Sequence, residues 1–219
     1  MASPKDISTE YEIIPIKKLK PLEQVFPTHL QNLIDMILSE QVIRLPIYVD
    51  KKTGIVLDGS HRYAIFLHYG FDEVPVRWVD YNDENVRVGT HLAHRFEING
   101  DTNISKKEVK RRGRTGDLYP PRTTRHFFPF RKTPIALKLS QLKNKKVKRN
   151  IDHLLARVTM RDEIKHNAGF IKEIDHETKT IKEYMKEAQA TKKYLQSQVK
   201  AMQKGKRSRI KRDDLFSGI

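Results

Sequence analysis

Residues Ile55-Val56-Leu57-Asp58-Gly59-Ser60-His61-Arg62 form an apolar, β-branched run that enters a tight turn and opens onto a helix whose first turn holds Ser, His and Arg. That order limits the chain to folds in which a buried strand delivers a helix N-terminus to the surface. Free N–H groups at the helix start, the positive end of its dipole and an adjacent guanidinium together make an anion site, and phosphate is the usual occupant. The same residues also read as an ordinary strand-to-helix turn with a Ser cap and a surface Arg, since Asp-Gly turns before capped helices are common.

Around this turn, strand and helix patterns alternate. Glu12 to Ile16 reads as a short strand. Leu30, Leu33, Ile34, Ile37 and Leu38 then fall at i, i+3, i+4, i+7 and i+8, one face of a helix, with Thr28 placed to cap it. Pro46–Val49 and Ile55–Leu57 are expected to form a hairpin around Asp50-Lys51-Lys52-Thr53-Gly54. Ser60 is placed to cap a second helix that Gly70 stops, and Val74–Val79 alternates as a further strand. Ser105-Lys106-Lys107-Glu108 is a capping box opening a short basic helix that Gly113 ends, and Pro120-Pro121 forces an extended approach to Thr123–Phe128.

Beyond Leu142 the composition shifts to Lys, Glu and Gln. Ile171, Ile174, Thr178, Ile181, Met185, Ala188, Lys192, Leu195, Val199 and Met202 follow a heptad seam, interrupted at Thr178 and Lys192. The earlier group Ile151, Leu154, Leu155 and Val158 is expected to supply its partner in a hairpin turning at Asn167-Ala168-Gly169. The expected division is therefore a domain over 9–140, a helical extension over 141–204 (hairpin or coiled coil, with a homodimer through the helix as a further expectation) and a basic disordered tail over 205–219. Of the formal net charge of +16, residues 1–140 carry 22 Lys/Arg against 17 Asp/Glu, and residues 141–219 carry 21 against 10. So basic an extension is expected to hold nucleic acid without sequence preference.

With no cysteine, disulfides, thiolate metal sites and cysteine nucleophiles are excluded. No apolar run approaches the length of a membrane span, and the polar start lacks a signal-peptide pattern, so a cytoplasmic protein is expected.

The strand-DGSHR-helix unit resembles the signature turn of the ParB/sulfiredoxin superfamily. Sulfiredoxins carry a redox Cys in this turn, which Ser60 replaces here, and ParB proteins carry a Glu- and Arg-rich version. The chain is more similar to the archaeal ADP-dependent free-serine kinases. That family shows Lys-Pro-x-Glu-Gln before its first helix, here Lys20-Pro21-Leu22-Glu23-Gln24, and Asp-Gly-His-His-Arg at the turn, here Asp58-Gly59-Ser60-His61-Arg62. It has Asp-Tyr-x-Asp-Glu after the next strand, here Asp80-Tyr81-Asn82-Asp83-Glu84, and Thr-Thr-Arg-His near its end, here Thr123-Thr124-Arg125-His126.

The resemblance spans roughly Glu12 to Leu142 and implies an α+β fold: a ParB/sulfiredoxin-like mixed sheet with flanking helices, followed here by a helical C-terminal extension. It implies a small-molecule kinase moving a phosphoryl group from ADP or ATP to the hydroxyl of free L-serine or a close analogue. Such transfer needs in-line positioning, cations around the phosphates and a carboxylate to take the hydroxyl proton. On the family's pattern Glu23 is the catalytic base, and Asp58 is the catalytic carboxylate near phosphates and metal, with Mg²⁺ implied. Gly59, Ser60, His61 and Arg62 cradle the phosphates, and Thr123, Thr124, Arg125 and His126 close the nucleotide site from the other side. Glu23, His29, His91, Thr124 and His126 bind the substrate, His91 falling where the family has a tryptophan.

Bland readings stand beside these. Glu23 taken alone is a surface loop residue, and His126 beside Phe127 and Phe128 is equally a core histidine. Lys106, Lys107, Lys110, Arg111, Arg112 and Arg114 form either a polyanion contact or a solvated helix face, the second being favoured. His91 and His94 have metal-ligand spacing but no third ligand nearby. The competing function is a non-catalytic ParB-like module that binds nucleotide and nucleic acid.

Overall fold

A computed structural model of the chain describes residues 10–90 and 104–203. Its central sheet has four strands in the order β1-β5-β3-β4, comprising β1 (Glu12–Pro15), β3 (Ile47–Asp50), β4 (Val56–Asp58) and β5 (Glu73–Val79). β1 runs antiparallel to β5, β5 parallel to β3, and β3 antiparallel to β4, so the sheet is mixed. Two short pairs flank it: β2 (Val42–Ile43) with β8 (Leu137–Lys138), and β6 (Arg87–Thr90) with β7 (Thr124–Phe127). β3 is buried at every position, as expected of a strand in the middle of a sheet covered on both faces. Ile47 and Val49 belong to one apolar cluster, with helices α1 (Pro27–Glu40) and α2 (Ser60–His68), while Tyr48 points into a second that holds Val109 of α3 (Lys106–Thr115).

Several local expectations need correcting. Thr28 does not cap α1: Pro27 occupies the first turn, Phe26 is the N-cap, and no side chain of the helix's own end is bonded there. Ser60 lies inside α2, and the N-cap is Gly59 at φ 101°. α3 passes through Gly113 to Thr115 and ends on Gly116. Gly113 serves close packing: a Cβ there would lie 2.5 Å from Ile55 Cδ1. Ser105 does cap α3, its side chain accepting from the Glu108 amide.

The expected helical hairpin is absent. Ile151 and Leu154 are buried in the main core, around a short 3-10 turn at Asp152–Leu154, and are unavailable as partners for a seam. Val25 N donates to Leu154 O and Ala156 N to Val25 O, which stitches this segment beside the 19–26 loop. Helix α4 (Met160–Gln203) then runs without a turn at Asn167-Ala168-Gly169. Its start is a reciprocal cap: the Asp162 amide donates to Thr159 Oγ1, while Thr159 N and Oγ1 donate to Asp162 Oδ2. The first compact unit accordingly reaches Phe170, well past the boundary expected near 140, and the second begins at Ile171.

Within the second unit the seam residues Ile171, Ile174, Ile181, Met185, Leu195 and Val199 are exposed. Residues 204–219, which include the expected disordered tail, and residues 91–103, which include His91 and His94, lie outside the described residues. Among the described residues no helix is long and apolar enough to cross a membrane.

Candidate functional site

The exit from β4 into α2 is the floor of a cleft of about 640 Å³. Glycine is favoured at position 59 by its backbone, and its lack of a side chain leaves room for Arg62. Its φ is one that other residues rarely adopt, and a Cβ would lie 2.7 Å from an Arg62 guanidinium nitrogen. The guanidinium thus folds back over the turn, and its buried Nε–H has no acceptor among the described residues. The amides that open α2 have no carbonyl partner within the helix, so the floor is rich in donors.

Asp58 ends β4 in the same floor. Burial would raise its pKa, but Arg62 and Lys132 outweigh that and hold its carboxyl below the usual value. Lys132 Nζ donates to Asp58 Oδ2 at 2.7 Å and an Arg62 nitrogen lies 3.7 Å away. Asp58 is therefore an ionised, ion-paired carboxylate. Among the described residues no group of three or more His, Asp or Glu comes together to hold a metal. A single carboxylate still suits Mg²⁺, which characteristically keeps one or two carboxylates and takes its other ligands from phosphates and water.

Glu23 faces the floor from an extended loop. Leu22 and Val25 on either side are buried, and the backbone is pinned to the 119 segment by Gln24 N donating to Tyr119 O and Tyr119 N to Leu22 O. Thr124 donates both its amide and its hydroxyl to Glu23 Oε1, each at 2.6 Å. Desolvation outweighs these bonds and, with Asp58 nearby, pushes the carboxyl up to about 7. Glu23 is thus poised to exchange a proton near neutrality.

The histidines of the cleft are uncharged. Burial, with His29, Arg122 and Arg62 nearby, lowers His61 to about 3. His61 Nε2 accepts from the Phe26 amide at 3.1 Å, which leaves the ring proton on Nδ1. Burial lowers His126 to about 4, and its Nε2 is paired with the Tyr81 hydroxyl at 3.0 Å. His29 stands edge-on to His61, with ring centroids 4.6 Å apart. Positive charge in the cleft therefore comes from Arg62, Arg122, Arg125 and Lys132, set against Glu23 and Asp58.

Of the residues expected from sequence, Glu23, His29, Asp58, Gly59, Ser60, His61, Arg62, Thr124, Arg125 and His126 all line this cleft. Thr123 does not: it is buried, and its hydroxyl donates to Pro120 O. The Asp80–Glu84 motif lies behind the site, where Tyr81 holds His126 and Asp80 and Asp83 cap their own turns. Arg122, Phe127, Phe128, Phe130 and Lys132 line the cleft without having been expected there. Phe128 stacks on Tyr48 and on Phe130, with centroids 5.3 Å apart in both cases, and Lys132 Nζ sits 5.3 Å from the Phe128 ring. The interleaving of aromatic and basic residues over 125–132 was the available signal.

The cationic stretches are largely paired within the chain. Arg111 and Arg112 bind Glu108 and Asp117, and Lys106 and Lys110 bond to Asp83 O and Asn82 Oδ1. Lys143 pairs with Glu73, while Lys145 and Arg149 pair with Asp72.

No family model matches the chain. An ATP-dependent L-serine kinase of Staphylothermus marinus is 37% identical over 105 residues, 46% of this chain and 40% of its own length. A ParB-like protein of Sulfolobus acidocaldarius is 34% identical over 79 residues, 36% of this chain and 39% of its own. The chain resembles the ParB-like serine kinases. The match spans about two fifths of the length of these curated relatives. The serine-kinase fold is present too: a mutant free serine kinase in complex with ADP superposes with a TM-score of 0.55 at 18% identity, covering 62% of this chain and 95% of that one.

Proposed function

We propose that the cleft transfers a phosphoryl group from ADP or ATP to the hydroxyl of free L-serine or a close analogue, giving O-phosphoserine. The observation that carries this is Glu23: a carboxylate with a pKa of about 7 set opposite an Arg-lined helix N-terminus. A site that only bound anions would gain nothing from a desolvated carboxylate facing them. The names of the curated relatives support serine as acceptor, and the ATP-dependent relative supports ATP beside ADP as donor.

In this reading the α2 amides and Arg62 hold the phosphates, and Arg125 and Lys132 add charge as the transferring group loosens. Glu23 takes the serine hydroxyl proton, the serine oxygen bonds to the terminal phosphorus, and the bond from that phosphorus to the bridging oxygen breaks. The nucleotide leaves one phosphate shorter. Mg²⁺, when bound with the nucleotide, would neutralise phosphate charge, and Asp58 is the residue that would hold it. His29 and Arg122 line the cleft with Glu23 on the acceptor side of this reading, and His126, neutral and held by Tyr81, orients without carrying charge.

The test is incubation of the full chain with Mg²⁺, L-serine and either ATP or ADP, with phosphorus NMR of the products. O-phosphoserine is expected. Nucleotide binding without product would favour the non-catalytic module.

For partners, we propose self-association through α4, because its exposed apolar residues repeat every 3.5 positions, the period at which helices supercoil around one another. In a parallel pair Lys192 meets its own copy, so Lys192→Leu should tighten the dimer in sedimentation equilibrium. We also propose weak, salt-sensitive nucleic-acid binding by the Lys204–Arg212 stretch, which oligonucleotide titration at two salt concentrations would measure.

A further inference from the structure

The start of α1 is capped from far along the chain. Glu163, on the first turn of α4, accepts from the Thr28 amide at 3.2 Å and the His29 amide at 2.7 Å. It is only 4% exposed, an unusual placement for Glu, and its charge faces the positive end of α1. One turn later on the same helix face, Asn167 Oδ1 accepts from an Arg122 guanidinium nitrogen at 2.7 Å. Arg122 itself is a non-glycine residue at φ 54°, a conformation that persists only where its surroundings fix it.

The two residues that this face of α4 grips both line the cleft that holds Glu23. The side chains of His29 and Arg122 both line the cleft, His29 edge-on to His61, and the Arg122 backbone lies against the Glu23 carboxylate. The N-cap residue Phe26 brings no side-chain cap of its own, and His61 takes only the Phe26 amide, so the Thr28 and His29 amides rely on Glu163. We infer that Glu163 and Asn167 are positioning residues of the cleft, Glu163 fixing His29 and Asn167 fixing Arg122, so that the start of the C-terminal helix is a working part of the site. This rests on the phosphoryl-transfer reading for its kinetic consequences, though not for its structural ones.

The test compares Glu163→Gln, Asn167→Ala and Asn167→Asp in the full chain. Two readouts are taken well below the melting temperature: kcat and KM for serine phosphorylation, and the His29 ring signals by NMR across a pH titration. Misplacing a group beside the reacting atoms costs about tenfold or more in rate. Glu163→Gln and Asn167→Ala should therefore lose about tenfold or more in kcat/KM while remaining folded. Asn167→Asp, which keeps an acceptor for Arg122, should recover most of that loss. With the His29 ring neutral at high pH, its signals should move in Glu163→Gln because the ring is no longer held in place against His61, whereas its titration midpoint shifts with the loss of the nearby carboxylate in either case. A merely structural cap would lower the melting temperature and leave the kinetic constants and the high-pH His29 ring signals at wild-type values, and that result would overturn the inference. Should Glu163→Gln fail to fold, the Asn167 pair, which leaves the α1 cap intact, decides. If the wild type makes no phosphoserine, the kinase reading fails by itself. The His29 and Arg122 side-chain signals in the same variants then decide the inference, shifted signals supporting it and unchanged ones overturning it.

Discussion

The compact unit ending at Phe170 and the helix that continues from Ile171 are built from the same kinds of residue, yet they treat them in opposite ways. In the first, Ile37, Ile151 and Leu154 are buried, and even an acid, Glu163, is turned inward with both carboxylate oxygens bonded. In the second, Ile174, Ile181 and Leu195 stand exposed at equally regular spacing. The difference teaches that helical periodicity shows which face wants a partner and is silent on whether this chain provides one. The consequence is that the cleft and the buried core both belong to the first unit.

The harshest way to break that comparison is truncation. Removing everything after Lys145 takes away Ile151, Leu154, Ala156 and Glu163. Large buried aliphatics cost about 2–5 kcal/mol each when cut back to Ala, a sum comparable with the roughly 5–15 kcal/mol that holds a typical domain together. We expect no cooperative thermal transition by circular dichroism from that fragment, whereas one ending at Phe170 keeps its transition. A fragment ending at Lys145 that melts cooperatively would return the boundary to residue 140.

Next in size is Glu23→Gln, which removes the proton acceptor and keeps the shape. Phosphoryl transfer should fall by about 10²–10⁴-fold with nucleotide binding kept. The same change sharpens the picture of a strained site. Between pH 4.5 and about 7 the folded state holds a proton on Glu23 that the unfolded chain has already released, so native stability declines as pH rises through that window. The Gln variant should lack this decline, and parallel melting curves of the two proteins across that range would count against burial as the cause.

Smaller effects follow. Arg62→Ala and Arg125→Ala should each weaken nucleotide binding by about 1.5–3 kcal/mol in calorimetry, the worth of a charge-assisted bond to phosphate. Wild-type affinity in both would move the phosphates elsewhere. Smallest of all, Ile181→Asp should leave the melting of the first unit within about 0.5 kcal/mol, as an exposed substitution does. A large loss there would mean that the seam supports the first unit.

Local order was the legible part of both fold and site. The hairpin at 46–57, the turn at Asp58–Arg62 and the amphipathic face of Leu30, Ile34 and Ile37 follow from periods and turn residues within a few positions of one another. The site residues grouped because three of the four quoted motifs bring their side chains to one cleft. What escaped was long-range. Thr28 looked like a cap because nothing nearby announced that Glu163 would take that role. Ile151 and Leu154 carried helical spacing but are consumed by the core. Thr159-Met160-Arg161-Asp162 is a capping signature that was passed over, and it marks the start of α4. Phe128, Phe130 and Lys132 enter the cleft because the chain after β7 folds back across Tyr48, which the aromatic and basic run over 125–132 signals as a contact surface without saying what it faces.

The central claim is that the first unit carries a phosphoryl-transfer site whose base is Glu23. It is tested most directly by the rate of O-phosphoserine formation from L-serine, Mg²⁺ and ATP or ADP, measured from pH 5 to 9 for the wild type and for Glu23→Gln. The account predicts a wild-type rate that climbs to a plateau as pH passes about 7, where the Glu23 carboxyl loses its proton, and a Gln variant with little activity at any pH. Absence of O-phosphoserine from the wild type, or a Gln variant that matches it, would contradict the account.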